Sequence, residues 1–320
     1  MKPASKLLLS LTLLAVFPYP LHARELPPFK IGLSTQVVGA GFELRPLSPD
    51  SRSTILKFRP AQSNYAGIIL GYRWIAGTFS FGIPANPEVR DVEGVSHYRD
   101  YRLAYWGNRL GIEGAYSWYR GYLIENSDAL SAATLGGNVF YKLPDVETLG
   151  YGVTVVKAVG LSSNYSMAAA MDQSAIQEKS GGSPLVLATW RRQSIKSPAA
   201  LIPLENRVSF GADQDIALAD TISIAAGAGY AYNWVPGIFF VSPLIALTLG
   251  YQQVEYELAG QAKAHASAGA NIHARISLGM NFVNGFLAAR FIFDRFGQQT
   301  ESIEVGNNIY GFSISAGTRF

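Results

Sequence analysis

The chain contains no cysteine in 320 residues. That excludes disulfides, thiolate metal sites and a lipid anchor on a cleavage-site cysteine. It also suits a chain that crosses an oxidising compartment unfolded. Charge is scarce as well: Asp, Glu, Lys and Arg make up 15% of the residues, against about 25% in an ordinary soluble domain. Beyond residue 23 no run of ~18 apolar residues occurs, so a membrane helix is excluded there. A Gly-rich phosphate loop, a calcium loop and a zinc pattern are all missing, and no cofactor or metal is expected.

What is present points elsewhere. The first residues carry Lys2 and Lys6, then an apolar run from Leu7 to Phe17, then Leu21-His22-Ala23. This is the plan of a cleaved secretory signal peptide over residues 1–23, too short to span a bilayer. Its removal leaves 24 of the 26 basic side chains against 23 acidic ones, a net charge of +1. Such a balance gives no footprint for nucleic acid. Gly 32, Tyr 17 and Phe 17 are high, and mean hydropathy is +0.13. Low charge, many aromatics and no long apolar run together favour a transmembrane β-barrel over residues 24–320.

Alternation carries the argument. From Ala264 to Phe282, Ala266, Ala268, Ala270, Ile272, Ala274, Ile276, Leu278, Met280 and Phe282 alternate with His265, Ser267, Gly269, Asn271, His273, Arg275, Ser277, Gly279 and Asn281. A strand sorts these into an apolar and a polar face, whereas a helix scatters them. The segment is long enough to cross a ~25 Å apolar band even when tilted. The last strand repeats the pattern: Phe312, Ile314, Ala316, Thr318 and Phe320 share one face, and Ser313, Ser315 and Arg319 the other. Phe312, Ile314 and Phe320 form the terminal pattern of a closing barrel strand, the kind read by the barrel-assembly machinery.

Further strands are expected at 30–45, 52–60, 64–73, 76–84, 95–106, 109–121, 131–143, 148–160, 184–196, 222–234, 239–251 and 286–296, with a weaker candidate at 205–214. The expected fold is all-β, a single antiparallel transmembrane barrel of about 14 strands, within 12 to 16. Tight turns at Val235-Pro236-Gly237 and Val283-Asn284-Gly285 belong to the periplasmic end. Longer connections, the Ala- and Ser-rich stretch at 161–183 among them, are expected mostly to face outward. That stretch contains a candidate short helix that would either enter the barrel or cover it. Trp74, Trp106, Trp118, Trp190 and Trp234, with Tyr72, Tyr116, Tyr122, Tyr151 and Tyr251, lie near strand ends, where interface girdles form.

Alternation also predicts which polar side chains line the lumen: Arg73, Asp100, Arg102, Arg109, Glu113, Arg191, His265, His273, Arg275, Arg290, Asp294 and Arg319. Two readings stay open, an ion-pair network filling a narrow barrel or a pore lined with an arginine surplus. A catalytic site is not expected. Ser96 and His97 are strand neighbours on opposite faces and cannot form a dyad. His265 and His273 are ~26 Å apart along one strand, too far for a shared metal.

Several blocks resemble a known family. They are Asn64-Tyr65-Ala66-Gly67, Gly71-Tyr72-Arg73-Trp74 and Phe79-Ser80-Phe81-Gly82. Tyr105-Trp106-Gly107-Asn108-Arg109-Leu110-Gly111-Ile112-Glu113 follows, then Tyr119-Arg120-Gly121-Tyr122-Leu123-Ile124-Glu125-Asn126. The last are Leu201-Ile202-Pro203 and Gly227-Ala228-Gly229-Tyr230-Ala231-Tyr232. In order and spacing they resemble the bacterial barrel family known as domain of unknown function 4421, from about residue 45 to the end. The resemblance implies an outer-membrane barrel and supplies no activity. The expected setting is therefore the outer membrane of a Gram-negative bacterium. Its lipids, the assembly machinery and periplasmic chaperones are the expected partners, and the oligomeric state is open. Three roles follow: a porin-like pore or transporter for small polar solutes, a filled structural or adhesive barrel, or a lipid-modifying barrel enzyme.

Overall fold

The computed structural model describes residues 23–48, 55–61, 64–127, 130–136, 139–160, 164–258 and 261–320. The expected signal peptide lies outside these residues apart from Ala23, as does the start of the strand expected at 52–60. In chain order the elements are β1 (Ala23–Glu25), β2 (Phe29–Pro46), β3 (Leu56–Pro60), β4 (Asn64–Tyr72), β5 (Ile75–Gly82), α1 (Pro87–Glu93), β6 (His97–Trp106) and β7 (Leu110–Ile124). Next come α2 (Ala132–Leu135), β8 (Tyr141–Ala158), α3 (Met167–Met171), β9 (Ala175–Gln177) and β10 (Gly181–Lys196). A 3-10 helix (Leu204–Asp213), β11 (Ile216–Asn233), β12 (Phe239–Leu258), β13 (Gln261–Asn281), β14 (Gly285–Gln299) and β15 (Ile303–Arg319) complete the chain.

Thirteen of these strands form one antiparallel sheet that closes on itself, because β15 pairs with β2 from Ile303↔Pro46 to Arg319↔Lys30. Phe320 and Phe29 exchange backbone hydrogen bonds and stack their rings at the foot of this seam. β3 and β4 both run antiparallel to β2, β3 on its upper part and β4 on its lower part. They are two halves of one crossing, so the thirteen strands make a ring of twelve crossings, an even number.

The wall is not uniform. β3 also pairs with β7, through Phe58↔Ile124 and Pro60↔Tyr122. At that height β3 stands in for β4, β5 and β6, and the ring narrows from twelve crossings to ten. Gly121, at φ +91°, sits where β6 leaves the wall; a side chain there would strike the Val95 carbonyl. Ser96 bolts the junction, its Oγ donating to the Gly121 carbonyl and accepting from the Ala61 amide at 2.7 Å.

Three expectations need correction. Residues 131–143 and 148–160 are not two strands: α2 takes the start of the first, and β8 runs unbroken from Tyr141 to Ala158. Pro144 looks like a break in the sequence. It falls instead in a bulge, where the pairing steps from Arg120↔Glu147 to Tyr122↔Leu143 and the ladder asks for no donor. Residues 205–214 are a 3-10 helix, entered after Pro203 and interrupted at Gly211 with φ +62°. The connection at 161–183 lies at the end that carries the short turns and both termini, not at the outer end.

Outward faces are apolar. On β2, Phe29, Ile31, Leu33 and Val37 are exposed; on β12, Ile245, Leu247, Leu249 and Tyr251 are. Nine residues from Phe29 to Val37 match the height of a ~25 Å hydrocarbon band at barrel tilt. Below it stand Tyr72, Trp74 and Trp234, and above it Trp118, Trp190 and Tyr251, as girdles. Trp106 and Tyr122, expected in the girdles, are buried and point inside.

Candidate functional site

Inward faces should be small and polar, and for the middle of the barrel they are. Asp100 and Arg102 come from β6, Glu113 from β7, Arg191 from β10, His273 and Arg275 from β13, and Arg290 and Asp294 from β14. Arg275 meets Glu113 across the barrel in a two-pronged pair at 3.2 and 3.3 Å, which fixes both planar groups. Arg102 Nε donates to Asp100 at 3.0 Å. Asp294 faces Arg191 at 3.9 Å and accepts from His273 Nδ1 at 2.8 Å. This band is an ion-pair layer, in which each carboxylate has a cationic or imidazole partner. The cavities within it include two of about 120 and 100 Å³, both lined by Asp100, Arg102, Glu113 and Arg275.

Carboxylate, imidazole and hydroxyl stand in line at one point of the layer. His273 Nδ1–H donates to Asp294, so Nε2 accepts from the Thr248 hydroxyl at 3.3 Å. That order is the one by which a hydroxyl is activated as a nucleophile. Here Thr248 is fully buried and its oxygen also accepts from Asn271 at 3.2 Å. The chain of bonds therefore ties β12, β13 and β14 together inside the wall.

Toward the termini the barrel is stoppered by the 161–183 connection. α3 is buried at every residue, and its Met167, Ala170 and Met171 pack on Trp106, Val156, Leu187 and Leu244 of the inner wall. Ser166 caps the helix by accepting from the Ala169 amide, and its hydroxyl donates to Asn108 at 2.7 Å. β9 pairs with β1 in a two-stranded ribbon under the plug. Three cations then hold three successive carbonyls. Arg290 donates to the Met171 oxygen, Lys30 to the Asp172 oxygen at 2.9 Å, and Arg319 to the Gln173 oxygen. Lys30 adds an ion pair to the Asp172 carboxylate at 2.6 Å. Gln173 holds φ +52°, which turns its carbonyl into reach. The three cations sit on β14, β15 and β2, the strands that meet at the closing seam. We call this clamp the latch. Beside it, Tyr165 is buried, and burial pushes its hydroxyl above the ordinary tyrosine range.

The opposite end is stoppered differently. Inward side chains there are apolar: Phe42 and Leu44 of β2, Leu56 and Phe58 of β3, Ile195 of β10, Val254 and Tyr256 of β12, and Ile303 and Val305 of β15. Phe42 stacks on Phe58 at 4.4 Å. Leu201, Ile202 and Phe210 fold in from the 197–215 connection and fill the centre. The lid is pinned by Asp213, whose Oδ2 accepts from Thr300, from the Ser302 amide and from the Ser302 hydroxyl.

Of the lumen residues expected from sequence, Asp100, Arg102, Glu113, Arg191, His273, Arg275, Arg290, Asp294 and Arg319 come together inside. Three stand apart. Arg73 is exposed in the β4–β5 turn, over the Tyr72 ring, because alternation does not continue through a turn. Arg109 is half-buried in the β6–β7 turn, and His265 lies high on β13, above its pairing with β14. Lys30 and Asp172 were missed. Lys30 sits between Phe29 and Ile31 on the polar side of β2, a signal the sequence did carry; nothing local marked Asp172 as its partner. Phe312, Ile314 and Phe320 face outward.

The sequence profile of the family described as Domain of unknown function (DUF4421) matches residues 29–320. No curated protein matches the chain. Solved structures similar in fold include the outer membrane protease OmpT from Escherichia coli, 7% identical, with 91% of this chain and 95% of that one covered at a TM-score of 0.41. The Pseudomonas putida toluene transporter TodX is 10% identical, covering 92% and 90%, at 0.31. Ail, the attachment invasion locus protein of Yersinia pestis, is 10% identical, covering 92% and 99%, at 0.23. Closed ring, apolar outer band and profile agree, and the chain belongs to the DUF4421 family of outer-membrane β-barrels.

Proposed function

We propose that this outer-membrane barrel is closed at rest and works through its wall and outer loops, as a filled structural or adhesive barrel, not as an open diffusion pore. One observation carries the reading: the lumen is closed twice, by unlike means. The outer closure is an apolar core built from the wall itself plus Leu201, Ile202 and Phe210. The inner closure is a buried helix under the latch. Solute uptake into vesicles tests it. Proteoliposomes should take up small sugars no faster than protein-free vesicles, and swelling at porin rates would overturn the reading.

A second reading has its own support. The charged layer with its two cavities would suit a gated route for small polar solutes, opened when the plug withdraws. Releasing the latch by Arg290→Ala with Arg319→Ala should then permit uptake. If the outer core keeps the barrel shut regardless, the variant stays as tight as wild type.

No catalytic role is proposed. His97 is exposed at the outer end of β6, while Ser96 is buried and committed to Gly121 and Ala61. The lipid-modifying alternative predicts that His97→Ala abolishes lipid hydrolysis, and we expect no hydrolysis to lose. Outer-membrane lipids, periplasmic chaperones and the assembly machinery are the proposed partners, the last reading the outward Phe312, Ile314 and Phe320.

A further inference from the structure

The narrowing of the wall leaves a ledge on the outside. Two strands fewer shorten the circumference by about 10 Å. β5 and β6 therefore end free of the upper wall, at Gly82 and His97. Their connection carries α1 back over the step. Arg59 of β3 pairs with Glu93 at 3.0 Å, and Lys142 Nζ donates to the Asp91 carbonyl at 2.6 Å. Under α1 lies a groove of about 430 Å³, the size of a small-ligand site. Phe81, Arg90, His97, Arg99 and Trp118 line it.

Three features of this groove go together. Among the described residues its charged lining is basic, and Glu88 and Asp91 of α1 do not line it. Carboxylates nearby are already used: Asp100 holds Arg102 inside the barrel, Glu93 holds Arg59, and Asp145 holds Arg120. Arg90 and Arg99 make no ion pair among the described residues; Arg99 lies over the Trp118 ring at 5.3 Å. The groove also stands at the upper girdle, directly above the exposed apolar face of Phe79 and Leu103. A lone arginine on a barrel's lipid side at that depth is tolerated only near the headgroups.

We propose that this groove binds the phosphate of an outer-leaflet lipid headgroup. Arg90 and Arg99 meet the phosphate, His97 adds a hydrogen bond, and the acyl chains run down past Phe79 and Leu103. Arginine presents a planar pair of donors that suits phosphate oxygens. Phe81 and Trp118 are amphipathic or flat walls for the glycerol or sugar region. The site is independent of the lumen and of whether the barrel conducts.

The test uses the full chain in detergent micelles and three probes: lipid A with its phosphates, the same lipid after phosphatase treatment, and inorganic phosphate. Tryptophan quenching by brominated acyl chains, or native mass spectrometry, reads binding. Wild type should bind the phosphorylated lipid. Arg90→Ala with Arg99→Ala should weaken it by about tenfold or more, the worth of one or two charge-assisted hydrogen bonds. Millimolar inorganic phosphate should not displace the lipid. Equal binding by the double variant, equal binding of the dephosphorylated lipid, or full displacement by free phosphate would each overturn the assignment. Arg90 is exposed on α1, so Arg90→Glu alone, which leaves the wall intact, supplies the same reading if the double variant fails to assemble. Arg73→Ala, at the other rim, should bind as wild type.

Discussion

The two ends of this barrel are closed by opposite chemistry. At the outer end the wall itself turns apolar inward, and Phe42, Phe58, Val254, Ile303 and their neighbours interlock around Leu201, Ile202 and Phe210. Opening that end would expose the whole core to water, at ~25 cal/mol per Å² of apolar surface. At the inner end the wall stays wider, and a separate segment is seated in it and held by polar bonds to Arg290, Lys30 and Arg319. Each such bond contributes about 1.5–3 kcal/mol when one partner is charged. Closure by core is cooperative, its side chains opening together or not at all. Closure by latch can be released a bond at a time, so only the inner end has the build of a movable part.

Variants can break this contrast. Phe58→Ala removes a fully packed ring from the outer core and its stack on Phe42. Stability against urea should fall by about 3–5 kcal/mol, with amide exchange rising around β3 and β7 and the plug unaffected. Next in size is the latch. Arg290→Ala with Arg319→Ala should lower the local stability of residues 167–177 by about 3 kcal/mol. Hydrogen exchange should show that loss in the plug alone; a matching loss at the outer end would mean that the two closures are one unit.

Thr248→Val tests the middle layer. It strips the donor from His273 Nε2 while keeping the side chain's shape. A loss of about 1–2 kcal/mol in urea unfolding is expected, and a change near zero would show that the hydroxyl is not needed there. The smallest effect concerns the outer loops. Glu205 is held by Ser131, whose side chain first and whose amide second, at 2.7 Å, donate to it and keep its carboxyl below the ordinary glutamate range. A depressed folded value means the tie adds stability above the ordinary value of about 4.3 and loses it as pH falls through the folded value. Exchange at the Ser131 amide should therefore quicken in acid relative to neighbouring amides, and Glu205→Gln should remove that dependence.

Much of this was readable from alternation. Nine of the twelve lumen residues predicted from sequence lie inside, because a strand's period of two survives any twist of the sheet. The outward Phe312, Ile314 and Phe320 follow from the same rule. What failed did so where the period stops: Arg73 in a turn, and the two strands expected at 131–143 and 148–160, whose strand part is one strand bulged at Pro144. The plug was harder. An Ala-rich stretch gives a helix, yet which end of the barrel it fills depends on strand parity across the whole chain. Two expected pairs, 52–60 with 64–73 and 131–143 with 148–160, each merge into one crossing ahead of the plug, and the parity is legible only when both unions are known. Equally hidden was β3's double pairing, since nothing in Leu56–Pro60 marks β7 as its second neighbour.

Single-channel recording in a planar bilayer tests the central claim most directly. With purified wild-type protein inserted, the account predicts a silent trace with no discrete conductance steps, because both closures must open before ions pass. Regular, reproducible steps from wild-type protein at low voltage would contradict it.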